Sequence, residues 1–196
     1  MPVDAEAPES TRALLLGAGA LARSILGAGL PPDSPLTLGI VDPAHKVGDV
    51  IQGCAVVARS DGALGDLIKD GWTHFLVGVG AVNLKGVKKR IKLWDRAQDA
   101  GLAPLIMEQD CGPGTVMGPL VVRLAGCTVG DGCLIGTGSI LEHDTTLGNH
   151  VVLGPGVVLC GDAVIEEGAF IGAGAVVIQG KKVKAGTLVA AGEVVR

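Results

Sequence analysis

His143 stands in Leu141-Glu142-His143-Asp144, with a carboxylate on either side, and Gly161 follows it by eighteen residues. A histidine beside an exposed backbone N–H is the minimal equipment for acyl transfer. The imidazole takes the proton of the attacking nucleophile, and the N–H holds the charge that develops on the carbonyl oxygen. A thiol leaving group, with a pKa near ~8.5, needs no strong acid to expel it. Asp144 orients the imidazole only if the pair sits at a corner, because neighbours on a strand point to opposite faces. Glu142 is the alternative orienting carboxylate. The competing reading of His143 is a corner histidine on the surface with no chemical part to play.

A second set lies near the N-terminus. Gly17-Ala18-Gly19-Ala20-Leu21-Ala22 follows the apolar run Ala13–Leu16 and fits the G-x-G-x-x-A turn between a strand and a helix. Such a turn offers backbone N–H groups and a helix N-terminus to a diphosphate. The competing reading is a tight turn that packs strand on helix, and the segment is too short for a complete dinucleotide fold. Asp42 closes the next strand. His45 and His74 carry no recognisable spacing. Lys181, Lys182 and Lys184 form a basic cluster that reads as a solvated face. Lys181 falls in a slot otherwise small and inward, which predicts a bulge there.

The elements that must position these residues follow from periodicity. From Val129 every sixth residue is Leu, Ile or Val: Val129, Ile135, Leu141, Leu147, Leu153, Leu159, Ile165, Ile171, Val177, Val183, Val189 and Val195. Glycine follows most of them by three places and a small residue by four. A period of six fits neither an α-helix nor a hairpin meander; it marks a parallel β-helix of hexapeptides. Three hexads close one triangular coil, so residues eighteen apart stack, and His143 and Gly161 share a face. The hexads around Met117 and Arg123 are imperfect, as a terminal coil often is.

Ahead of Gly101 the grammar changes. Strand-like runs at Ala13–Leu16, Leu36–Val41 and His74–Val79 alternate with helical stretches at Ala20–Leu26, Ala63–Lys69 and Leu84–Asp99. That alternation predicts a small parallel sheet with covering helices. Pro104, Pro113 and three glycines between Gly101 and Gly114 mark the boundary. The expected organisation is a short tail over 1–10, an α/β domain over 11–110 that binds a nucleotide sugar, and a β-helix over 111–196.

The composition removes several classes. A net charge of −4 offers no basic surface for nucleic acid or anionic lipid. Tyr is absent and Trp72, Phe75, Trp94 and Phe170 are the aromatic residues, too few for a base-stacking platform. No apolar run approaches the ~20 residues of a membrane span. The acidic start lacks the basic and apolar segments of a secretory signal. Cys54, Cys111, Cys127, Cys133 and Cys160 contain no C-x-x-C and suit a reducing, cytoplasmic setting. A metal centre is not expected, because His143 and His150, the solenoid's two histidines, lie seven residues apart on different flanks.

The hexads, the Glu-His-Asp turn and the α/β prefix together resemble the left-handed β-helix acyltransferases. The likeness covers roughly Leu14 to Val195. It is nearest to the branch that N-acetylates amino sugars on nucleotides, with the sialic-acid O-acetyltransferase-like members beside it. The fold it implies is a small Rossmann-like α/β domain followed by an all-β left-handed parallel β-helix. It further implies acetyl-CoA as co-substrate, a nucleotide-linked amino sugar as acceptor and a homotrimer with the cofactor between subunits. In that likeness His143 is the general base, Asp144 its carboxylate partner and the Gly161 amide the donor to the acetyl carbonyl. Gly161, Ala173 and Gly174 would hold CoA. Gly17, Ala18, Gly19, Ala20 and Leu21 would grip the pyrophosphate, and Asp42 would approach the base or ribose. The chain departs from the family in four places. Ala20-Leu21 replaces a common Gly-His, Val152 a second histidine, and Gly136 an asparagine near the sugar; a Gly-x-Pro-Ala-Lys tail is missing before Arg196. Those departures keep two other readings open, a sialic-acid-type sugar O-acetyltransferase and a non-catalytic β-helix protein that binds sugar nucleotides.

Overall fold

The structure, a computed structural model, describes residues 11–27, 36–107 and 110–196. The expected tail over 1–10 lies outside the described residues. The chain forms two compact units. One comprises the described residues up to Val79 with Arg96–Ala103, and the other Gly80–Asp95 with Pro104–Arg196.

The first unit is built on a sheet of order β3-β4-β2-β1-β5-β6. Its strands are β1 (Thr11–Leu16), β2 (Leu36–Val41), β3 (Val50–Ile51), β4 (Cys54–Ala58), β5 (His74–Val77) and β6 (Ala103–Pro104). β1 lies at the centre, parallel to β2 from Thr11↔Leu36 to Leu16↔Val41 and to β5 from Ala13↔His74 to Leu16↔Val77. Leu14, Leu15, Ile40, Phe75 and Leu76 are fully buried. That explains why these strands read as unbroken apolar runs rather than alternating ones. Helix α1 (Ala20–Gly27) follows β1, and α2 (Leu64–Lys69) follows a short 3₁₀ turn at Asp61–Ala63. The antiparallel β3–β4 hairpin has no counterpart in the sequence reading. Gln52 and Gly53 both hold positive φ (46° and 83°), the two-residue turn whose twist suits a hairpin. Gln-Gly is a weak form of that signal, which hid it.

The second unit is the solenoid, a left-handed parallel β-helix. Its two-residue strands run from Val116–Met117 to Val194–Val195 and stack into sheets of five, five and four. Partners are eighteen residues apart throughout: Ile135 pairs Leu153, which pairs Ile171, which pairs Val189. The hexad residues from Val129 to Val189 point inward as one core. Turns recur with the same period. A residue of positive φ stands at every sixth position from Gly114 to Gly192, and it is glycine except at Leu120, Asp144, His150 and Asp162.

The three outer faces differ. One carries Val122, Ile140, Val158, Val176 and Val194, aliphatic at each level. Another carries Thr128, Thr146, Val164 and Lys182, with the two threonine hydroxyls 3.2 Å apart. On the third, Val152 and Phe170 are buried against Val87 of the helix α3 (Leu84–Asp99), with Leu84 and Ile91 beside them. The buried guanidinium of Arg90 donates to the Gly132 carbonyl at 3.3 Å; burial lowers its pKa to about 10.

Two details of the solenoid bear on the sequence reading. Arg123 occupies an inward hexad slot and turns its guanidinium to the Asp110 carbonyl and the Cys111 sulfur, so the first coil closes on a hydrogen-bonded cation. The bulge expected at Lys181 is absent. Val164↔Lys182 and Ile165↔Val183 stay in register, and the Lys181 carbonyl accepts the Val164 N–H at 2.9 Å. The Lys181 side chain leaves for solvent, so the backbone needs no adjustment. No helix among the described residues is long and apolar enough to cross a membrane.

Candidate active site

His143 and Asp144 sit at the corner that follows the strand Ile140–Leu141. Asp144 has a φ of 61°, a left-handed conformation that Asp adopts more readily than most residues. The corner swings its carboxylate beside the preceding side chain, and His143 Nδ1 lies 2.9 Å from Asp144 Oδ2. Of the two flanking acids, Asp144 is thus the one that holds the ring. In the neutral ring, a proton on Nδ1 facing this carboxylate leaves the lone pair on Nε2. Both side chains are more than half exposed.

The stacked coils above and below make room for this pair. Gly126 lies one coil before Asp144, and a side chain there would run into the Asp144 carboxylate. Gly161 lies one coil after His143, and a Cβ there would fall 2.6 Å from His143 Nε2. The imidazole therefore occupies the space that a side chain at position 161 would take. Asp162 N–H donates to the His143 carbonyl at 3.1 Å, and the Gly161 carbonyl accepts the Gly180 N–H at 3.0 Å. Among the described residues the Gly161 N–H has no acceptor. The structure thus brings together His143, Asp144 and Gly161. Ala173 and Gly174 stand at a different corner, across the aliphatic face of Ile140, Val158 and Val176.

Neighbouring charge acts on the His143 ring. The hydrogen bond to Asp144 raises the His143 pKa above its ordinary value against an opposing effect of desolvation, and the charges of Asp144, Asp162 and Glu142 add to the rise. The solenoid's second histidine is held differently. His150 packs edge-on against Trp94, with ring centroids 5.1 Å apart, and burial lowers its pKa. It lies away from the His143 corner, as the seven-residue separation required.

In the α/β unit, Gly17 and Gly78 meet where the strand order reverses, at the carboxyl ends of β1 and β5. A Cβ on Gly17 would strike Val79, and one on Gly78 the Gly17 carbonyl. Two donors of the Gly-rich turn are already committed. Gly17 N–H goes to the Val41 carbonyl at 2.9 Å and Ala18 N–H to Asp42 Oδ2 at 2.8 Å. Donors for a ligand therefore begin at Gly19 and continue through Ala20 and Leu21 into the first turn of α1. Nothing lies within 4 Å of a Cβ on Gly19. Asp42 Oδ1 accepts the Ala44 N–H at 2.8 Å and lies 2.9 Å from His45 Nδ1. Burial raises the Asp42 pKa, but the bonds from His45, Ala18 and Ala44 outweigh it and hold the carboxyl below its ordinary value. His45, which the sequence left without a partner, thus joins this site; its place three residues after Asp42 was the available signal.

Comparison with known proteins bears directly on this arrangement. The model of the bacterial transferase hexapeptide family (six repeats) matches residues 126–161 and 144–179, a span that contains His143, Asp144 and Gly161. No curated protein sequence matches the chain. Among solved structures, PerB from Caulobacter crescentus in complex with CoA and GDP-perosamine is 29% identical, with a TM-score of 0.77 over 94% of this chain and 88% of that one. A histidine-to-asparagine mutant of perosamine N-acetyltransferase from the same organism, also with CoA and GDP-perosamine, is 28% identical with a TM-score of 0.79 over the same shares. The chain is a hexapeptide-repeat acyltransferase. The acetyltransferase domain of PglB from Neisseria gonorrhoeae FA1090 shares the fold, at 23% identity and a TM-score of 0.78 over 94% of this acyltransferase and 91% of that chain.

Replacing Asp144 by Asn removes the charge that favours protonated His143 and leaves the fold. The imidazole pKa, followed by NMR titration of the His143 ring protons, is expected to fall in Asp144→Asn. An unchanged titration would separate the two side chains in solution.

Proposed function

We propose that this acyltransferase carries the acetyl group of acetyl-CoA to the amino group of a nucleoside-diphosphate-linked amino sugar, with His143 as general base. The observation that carries the reading is the His143–Asp144 pair, with His143 Nε2 beside the side-chain-free backbone of Gly161. The solved structures at 28–29% identity hold CoA and GDP-perosamine, which supports the same two substrate classes here.

The amine attacks the thioester carbonyl and the new N–C bond forms. His143 Nε2 takes the proton that nitrogen loses. The Gly161 N–H holds the oxyanion of the tetrahedral intermediate. The intermediate collapses, the C–S bond breaks, and the thiolate of CoA leaves with the proton that the imidazolium returns. Asp144 keeps the ring in the tautomer that presents Nε2 and stabilises the imidazolium between the two transfers. Because the working form is neutral and the pKa is raised, activity climbs as pH rises through a value above the ordinary histidine one of about 6.5.

The α/β unit supplies acceptor binding. A diphosphate at the start of α1 meets the N–H groups of Gly19, Ala20 and Leu21 and the positive end of the helix. Asp42 holds the turn in place through Ala18. CoA lies near Gly161, with Ala173 and Gly174 along its course. The assembly in this reading is a homotrimer, supported by the aliphatic outer face of the solenoid, which water alone leaves uncovered. Five cysteines with no C-x-x-C suit the cytoplasm, where acetyl-CoA is available. Sedimentation equilibrium at micromolar concentration is expected to give the mass of three chains.

His143→Ala is expected to lower kcat by roughly 10²–10⁴-fold and to leave acetyl-CoA binding nearly intact, since it removes a proton acceptor from an exposed corner. Thiol release from acetyl-CoA with a panel of amino-sugar nucleotides measures it; a variant with wild-type kcat at neutral pH would take His143 out of the mechanism. Gly19→Val adds a side chain where the fold leaves open space. Its KM for the sugar nucleotide should rise strongly while that for acetyl-CoA stays put. Equal use of the free amino sugar and its nucleotide form by the wild type would count against diphosphate binding at this turn.

A further inference from the structure

We propose that His45 is the residue of the α/β unit that reads the ribose of the bound nucleotide, its Nε2 accepting a ribose hydroxyl, with Asp42 as the positioning residue behind it. The inference rests on the nucleotide-sugar reading above and assigns one recognition contact within it.

In open parallel sheets the acid at the end of the second strand commonly takes the ribose hydroxyl itself. Here that acid is spent on the fold. Asp42 Oδ2 accepts from Ala18, and Oδ1 accepts from Ala44 and pairs with His45. Three of the roughly four acceptor positions of a carboxylate are filled, and the Asp42 side chain is 13% exposed against 36% for His45. The acceptor offered at this strand end is therefore the next group along. A histidine whose Nδ1–H faces a carboxylate has an acceptor at Nε2, and an acceptor is what a hydroxyl needs.

The loop that carries His45 is fixed rather than loose. Arg59 donates to the Pro43 carbonyl at 3.0 Å, Lys46 N–H to Asp49 Oδ2 at 2.8 Å, and Gly48 N–H to the Val56 carbonyl at 2.9 Å. Asp42 links the loop to the Gly-rich turn through Ala18, so the position of the histidine and that of the phosphate-binding donors are set by one carboxylate. A nucleoside diphosphate presents its ribose next to its phosphates, which is the spacing such a coupled pair serves.

Two substitutions separate contact from positioning. Asn places its amide nitrogen near the Nδ1 position and keeps the bond to Asp42 while deleting Nε2; Gln reaches the Nε2 position. Binding of GDP, UDP and their 2′-deoxy forms is measured by titration calorimetry on the full chain. The wild type should prefer the ribo form of the accepted nucleotide by about 3- to 10-fold, the worth of one hydrogen bond. In His45→Asn that preference should fall to within about twofold, with binding of the 2′-deoxy form unchanged, and His45→Gln should recover part of it. A preference that survives His45→Asn, or a wild type that binds nucleotide without telling ribose from deoxyribose, overturns the assignment and leaves the nucleotide-sugar reading standing. A wild type that binds none of the four nucleotides overturns both.

Discussion

A left-handed residue at every sixth position is the constraint from which the solenoid and its site both follow. Each such residue turns the chain through a corner and delivers the next strand to its partner eighteen positions away. Glycine meets the requirement at little cost. Leu120, with a φ of 61°, meets it at about 1–2 kcal/mol. Aspartate stands between these, because its short polar side chain tolerates the conformation. Asp144 uses that tolerance: the corner that would otherwise hold glycine holds a carboxylate, and it brings the carboxylate beside an imidazole one residue away. On a flat strand the same two residues would face opposite sides of the sheet.

The stacking of coils supplies the rest of the site. His143 is exposed, and one hydrogen bond to its neighbour is the main polar contact fixing its ring. Packing against a backbone without a side chain does the remaining work. Gly126 below and Gly161 above leave the two gaps that the carboxylate and the imidazole fill. The site is thus stabilised less by its own bonds than by a core that does not touch substrate, the column of buried Leu, Ile and Val that keeps successive corners in line.

Sequence reveals what repeats and conceals what does not. The hexads announce the solenoid, its core and the stacking of His143 on Gly161, because each is a consequence of one period. Leu36–Val41 and Leu84–Asp99 are legible to the residue, as long apolar or amphipathic runs are. The β3–β4 hairpin is not, since Gln52-Gly53 is a weak turn signal and the strand before it has two residues. The bonds from Asp42 to Ala18 and to His45 are tertiary and leave no periodic trace. The missing bulge at Lys181 has a different cause. A long cationic side chain looked incompatible with an inward slot, yet at a corner a slight change of direction carries it to solvent while the ladder continues.

The registry of His143 over Gly161 also makes the solenoid a ruler. Coils repeat at the strand spacing of about 4.8 Å, so the imidazole and the Gly161 backbone are separated by one graduation whatever coil they occupy. Moving both by eighteen residues would rebuild the same local geometry one graduation further along the axis. The local geometry is thus indifferent to the choice of coil, whereas its position along the axis is not. Duplicating or deleting a coil ahead of the His143 corner would move that corner along the solenoid axis in whole steps and leave its local geometry unchanged. A solenoid can therefore shift a surface group along its axis by counting coils rather than by rebuilding the group's surroundings.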